Sequence, residues 1–291
     1  MAFEILNNAQ VTPPRLHAMV RLVPQLRDPS RQDLCDLLQP SAALPQLENQ
    51  EAASGVFTAA RSCGLVTEDV GGAIRLLVPA EAVETLAAFR RHLQGALLGI
   101  TDDAADNYLL NIYTAWYAVQ DDRVFKFELK DFEVRFNSEV FPEAESRQFN
   151  ITKLRGWRLW AAFLGLGWSM KFGNRELIVP DARDRIQPLL GRLLPERESM
   201  VRFGDFMEQL AEHCPELDGG SLFMRCLQMS RGANHHDSRL SLMLSTALRV
   251  LHEAGEIVLT SQADAPTKWQ LYPAVGHRFA QISHIHRGRA A

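Results

Sequence analysis

The stretch 149–180, FNITKLRGWRLWAAFLGLGWSMKFGNRELIVP, constrains the fold of this chain more than any other. Asn150 suits a helix N-cap, and Leu154, Trp157, Leu159, Trp160, Phe163 and Leu164 recur at helical spacing, which predicts a helix with one broad buried face. The helix is expected to stop at Gly165–Gly167. Two short apolar runs follow, at 168–172 and 176–179, and the pair Gly173-Asn174 between them turns a β-hairpin tightly. Helix, glycine stop, hairpin and proline make up the back half of a winged helix.

The same order of elements recurs. In the first unit, helices are expected over 14–26, 31–38 (capped by Ser30) and 52–63, with 40–50 a polar loop, then two short strands around Asp69-Val70-Gly71-Gly72, closed by Pro79. A helix over 82–98 stops at Gly99. Thr101-Asp102-Asp103 reads as the acidic first turn of a helix whose dense apolar and aromatic face spans 108–119. The segment 130–141 fits either a helix or an extended run. After Pro180 a connecting helix is expected to bury Ile186, Leu189, Leu190, Leu193 and Leu194 and to turn Arg183, Arg185 and Arg192 outward. Helices over 201–213, 222–229 and 238–253 follow, and a wing pairs 257–259 with 269–272 before Pro273.

The closing prolines Pro79, Pro180 and Pro273 lie roughly a hundred residues apart, about one small domain each. The expected fold class is therefore mainly α with small β-hairpin wings (α+β), built as tandem winged helix-turn-helix domains. Their expected extents are 1–80, 81–195 (with a helical connector) and 196–291 (with a C-terminal tail).

Composition narrows the function. With 46% apolar and 23% charged residues in 291, the chain resembles an ordinary globular protein. No apolar run approaches the ~18 residues of a membrane span. The opening MAFEILNNAQ lacks the basic-then-apolar layout of a signal peptide, so a cytoplasmic protein without membrane contact is expected. Cys35, Cys63, Cys214 and Cys226 show no CxxC spacing and read as reduced, mostly buried thiols. There is no phosphate-binding loop, dinucleotide fingerprint or nucleophile elbow. His235-His236-Asp237 and His284-x-His286 lack the further ligands of a tetrahedral site, and Asp102, Asp103 and Asp106 are explained by a helix N-terminus. No catalytic residue, metal or cofactor is expected.

A net charge of −4 means that any contact with DNA must come from a local patch. The middle unit offers one, with Lys153, Arg155 and Arg158 on its last helix and Lys171, Asn174 and Arg175 on its wing. The third unit adds Arg239 and Arg249, with Arg231, Asn234, Lys268, Arg278, Arg287 and Arg289 nearby. The alternative reading of all of these is a solvated helix face. The first unit's third helix carries only Arg61 among Ala52, Ala53, Ser54, Ala59 and Ala60. That composition suits either a protein-contact or dimerisation element or ordinary packing within the unit. Of Trp157, Trp160, Phe163 and Trp168, three fit a buried face of the helix and hairpin, which favours core packing over stacking on single-stranded bases.

In layout, and in segments such as GWRLWAAFLGLGW and LRVLHEAGEI, the whole chain resembles the DpdG family, accessory proteins of bacterial gene clusters that insert 7-deazaguanine derivatives into DNA and restrict unmodified DNA. The resemblance implies a non-enzymatic subunit working beside other proteins in defence against phage. The expected partners are double-stranded DNA, on the clustered basic residues, other subunits of a complex, and a second copy of the chain. A protein scaffold like the accessory subunits of SMC–kleisin complexes and a transcription regulator are the alternative readings.

Overall fold

Pro13 in a first helical turn, Ser30 as a cap and Gly64 as a stop lay out the first unit in a computed structural model that describes residues 3–40, 51–142, 148–173, 175–196, 199–230, 238–274 and 281–289. Helices α1 (Pro13–Leu22), α2 (Arg31–Leu38) and α3 (Glu51–Ser62) precede the antiparallel hairpin of β1 (Val66–Glu68) and β2 (Ile74–Leu76). Ser30 and Asp33 cap α2 reciprocally, each side chain accepting the other's backbone N–H. The Ile74 N–H donates to the Pro29 carbonyl at 2.8 Å and ties the hairpin to the entry of α2. Ala53, Ala59 and Ala60 of α3 are buried inside this unit, and Ser54 accepts a hydrogen bond from Arg31.

Two short helices follow where one was expected. α4 (Glu81–Glu84) and α5 (Leu86–Leu97) are separated by Thr85, which is extended and whose hydroxyl accepts the Ala88 N–H as an N-cap. α6 (Tyr108–Val119) then runs through the middle of the protein, buried at all twelve positions. A helix apolar on every side is stable only when covered on every side. Its start is not the acidic turn: Asp106 accepts the Phe3 N–H at 2.7 Å, and Asn107, left-handed at φ 60°, accepts the Ile5 N–H at 2.9 Å. Glu4 accepts the Leu109 N–H at 2.7 Å and so caps the helix from a segment far away in the chain.

α7 (Leu129–Val140) settles the ambiguous stretch as a helix. α8 (Ile151–Phe163), capped by Asn150, leads into β3 (Gly167–Phe172) and β4 (Arg175–Pro180). Between α6, α7 and α8 lies an aromatic cluster in which Tyr113 stacks on Phe149 at 3.8 Å and meets Trp157 and Phe136 edge-on. The Trp157 indole donates to Thr114 and the Trp160 indole to the Val11 carbonyl, so both rings are buried with their N–H groups satisfied. Gly165 (φ 76°) and Gly167 (φ 151°) end α8 in conformations that side chains disfavour.

The connector breaks into α9 (Arg183–Ile186), a turn of 3₁₀ helix at Gln187–Leu189 and α10 (Leu190–Leu193). Arg185 points inward rather than outward: its Nε donates to Glu216 at 2.8 Å and its Nη2 to the His213 carbonyl at 2.7 Å, both side chains being almost fully buried. The last unit comprises β5 (Val201–Arg202), α11 (Phe203–His213), α12 (Ser221–Met229), α13 (Leu242–Glu253) and the strands β6 (Ile257–Thr260), β7 (Trp269–Gln270), β8 (Gln281–Ile282) and β9 (His284–Arg287). α13 starts four residues later than expected, because Ser238 instead accepts the Gln270 N–H and Ser241 is the cap.

The expected wing of this unit is corrected. β6 pairs with β9, not with β7, giving a sheet of order β5-β9-β6, while β7 pairs with β8. The burial pattern agrees with this pairing: Ile257 and Leu259 are buried, and Leu259 stands across from the buried Ile285. Among the described residues no helix is long and apolar enough to cross a membrane.

Two measurements test this framework. Glu216→Leu leaves the Arg185 guanidinium buried without its charge partner and should lose about 3–5 kcal/mol in urea unfolding, whereas Arg185→Met with Glu216→Leu should recover most of that loss. Burial raises the Glu4 carboxyl from 4.5 to about 7, against the opposing pull of the Leu109 N–H. Its folded value lies above its unfolded one, so its contribution is fully present below about pH 4.5 and declines as pH rises towards 7. The difference in unfolding free energy between wild type and Glu4→Gln should therefore change across that window and be flat above it.

Candidate nucleic-acid interface

The side chains singled out as DNA contacts start from α8. At about 100° of rotation per residue, Arg155 and Arg158 lie roughly 60° apart on the helix and Lys153 lies nearly opposite Arg155. The structure divides them accordingly. Arg155 is exposed along a stripe with Thr152 and Leu159, and Arg158 is half-buried beside that stripe, its guanidinium 5.9 Å from the centre of the Phe132 ring. Lys153 turns to the other side, where its ammonium donates to the Gln148 carbonyl at 2.5 Å and faces Glu4. Burial draws the Lys153 pKa down, and the Glu4 charge opposes that shift.

The rest of α8 is covered. Gly156 packs against the Leu6 backbone, so closely that a Cβ there would stand 3.4 Å from the Leu6 carbonyl oxygen. The segment Ile5–Asn7 therefore occupies the flank of the helix that Lys153 borders, and the open flank belongs to Arg155.

On the hairpin, Lys171 is exposed and stands across the ladder from Glu176. Arg175 is engaged: its Nη2 donates to the carbonyls of Phe125 and Phe127, satisfying backbone acceptors just after the 3₁₀ turn that follows α6. Asn174 lies outside the described residues. The hairpin also carries exposed apolar surface, and so does α8 at Leu159, which the helical spacing had placed on the buried face. Trp168 is 49% exposed and Phe172 72%, and Leu159 on α8 is 48% exposed. Trp157 and Trp160 are fully buried, as the helical spacing requires.

Basic residues of the last unit hold the protein together. Arg239 reaches Asp121 at 3.5 Å and lies 4.7 Å from the centre of the Tyr272 ring, and Arg249 is buried and donates to the Tyr272 carbonyl at 2.6 Å. Lys268 donates to the Ala263 carbonyl. Arg239 and Arg249 are thus engaged within the protein, while Arg231, Asn234 and Arg278 lie outside the described residues. The His235-His236-Asp237 run does too. His284 and His286 are half-buried in the strand β9, and among the described residues no group of His, Cys, Asp or Glu is arranged to hold a metal ion.

Among the candidate residues of the middle unit that are described, Arg155 on the helix and Lys171 on the adjoining hairpin are exposed, with half-buried Arg158 beside Arg155. A guanidinium and an ammonium on neighbouring elements can both meet phosphate oxygens, and a short polar residue such as Thr152 next to them can meet either a phosphate or a base edge.

A family model described as DpdG-like matches residues 3–265. No curated protein and no solved structure matches the chain. The match spans all three helical units and most of their strands, and on that ground the chain belongs to the DpdG-like family.

Proposed function

We propose that this protein is a non-catalytic, tandem winged-helix subunit of a bacterial DNA-modification and phage-defence system, and that it binds or positions double-stranded DNA within a multi-protein complex. Membership of the DpdG-like family supports the setting. The order of three helices followed by a hairpin, at 13–76 and again at 108–180, supports the winged-helix reading. The observation that carries DNA contact is the open flank of α8, where Arg155 is exposed, with half-buried Arg158 beside it, next to a hairpin bearing exposed Lys171. Helix residues would enter a groove while the hairpin lysine touches phosphate, and Arg175, Arg239 and Arg249 would support the scaffold rather than the nucleic acid.

A second reading, a scaffold that binds other proteins, is favoured by the exposed Leu159, Trp168 and Phe172 on this same module. It expects a stable complex with another subunit in the absence of DNA.

Binding of a fluorescent duplex over a salt series separates the two. Replacing Arg155 and Lys171 together by Ala should weaken binding, lower the slope of log affinity against log salt by about 1 for the phosphate contact of Lys171, and relax sequence preference where Arg155 enters the groove. An unchanged slope would rule out this surface as the DNA contact. Arg239→Ala should leave the slope unaltered.

A further inference from the structure

The outer edge of β3 has a geometry that names its own partner. β3 pairs on one side only, with β4, and its register sets Phe172 opposite Arg175 around the two-residue turn. Residues flanking such a turn exchange both of their N–H···O bonds, and the pattern then alternates along the strand. The backbone groups of Phe172, Met170 and Trp168 are therefore spent on β4, and those of Ser169 and Lys171 point outward. No backbone hydrogen bond joins Ser169 or Lys171 to another segment among the described residues. An open strand edge of this length carrying exposed aromatic residues is normally guarded by several charges, a proline or a bulge. Here Lys171 is its one charge.

We infer that this edge pairs with the same edge of a second copy of the chain, antiparallel about a two-fold axis through Met170. The strand reads Trp168-Ser169-Met170-Lys171-Phe172, which is symmetric in character about its centre. Around that axis Ser169 faces the partner's Lys171 and Lys171 faces the partner's Ser169, so the outward backbone groups meet as hydrogen-bonded pairs. Met170 faces its own counterpart, and Trp168 faces the partner's Phe172 in the close, non-hydrogen-bonded type of pair that suits aromatic contacts.

Other registers fail on simple grounds. Outward groups have to meet outward groups, which excludes axes between residues. An axis at Lys171 sets two ammonium groups against each other, and one at Ser169 leaves Phe172 beyond the paired strand. In the Met170 register each Lys171 keeps Glu176 of its own hairpin as its other neighbour, and the two hairpins form one four-stranded sheet. The inference does not depend on DNA contact.

The test uses the full-length protein without DNA. Sedimentation equilibrium should show a dimer that Met170→Lys, which opposes two like charges at the axis, converts to a monomer that keeps the wild-type circular dichroism spectrum. Under mild oxidation Met170→Cys should form a disulfide-linked dimer on a non-reducing gel, while wild type and Lys171→Cys should not. A wild type that stays monomeric at every concentration, a dimer that Met170→Lys leaves intact, or a dimer in which Met170→Cys fails to cross-link would each overturn it. Should Met170→Lys fail to fold, the cysteine pair decides alone.

Discussion

The polar ends of a helix buried on all sides have to find partners, and α6 takes them from every part of the chain. At its start Glu4 and Asn107 tie it to the segment Ile5–Asn7. In its middle Asn111 donates to the Leu97 carbonyl and accepts the Gly99 N–H, which fixes the end of α5. Just past its end Asp121, at φ 51°, accepts the Leu242 N–H at the start of α13. Gln120 reaches Ser230 after α12, and Cys226 donates to the Ile112 carbonyl. Each of these groups would cost about 1–3 kcal/mol if buried unpaired. Three helical units thus become one continuous core through the obligations of a single helix.

Periodicity and capping made much of this fold legible. Asn150, the apolar spacing of 154–164 and the pair Gly173-Asn174 located α8 and its hairpin, and Ser30 and Gly64 located the start of α2 and the end of α3. What stayed hidden needed partners distant in sequence. Arg185 looks like a surface residue of a connecting helix until Glu216 is brought beneath it. The strand β9 carries two histidines and an arginine, a composition without strand signal, and only Ile285 between Val201 and Leu259 makes it the middle of a sheet.

The candidate site was legible in part. Charge clustering pointed to α8 and the hairpin, but it treated neighbours in sequence as neighbours in space. Lys153 and Arg155 are two residues apart, a spacing that sends them to opposite sides of a helix. That much was available from the numbering. The engagement of Arg175 with two carbonyls and the burial of Arg249 were not, because a guanidinium on a carbonyl leaves no mark on local pattern. The exposure of Trp168 and Phe172 was masked by the rule that large aromatic residues lie inside, a rule that a two-stranded ribbon with one uncovered edge does not obey.

The capping of α6 by the segment Ile5–Asn7 also has a kinetic side. The Phe3 N–H waits for an acceptor 103 residues further along, and the Trp160 indole closes on the Val11 carbonyl 149 residues away. On the ribosome these early residues emerge long before anything they can bind, so α1, α2 and α3 can gather while the leading segment remains undocked. Loop closure over such spans is slow relative to local helix formation. Docking of this segment onto α6 and α8 has to wait until both helices have emerged, and a nascent chain arrested before α8 would leave it without the Trp160 contact.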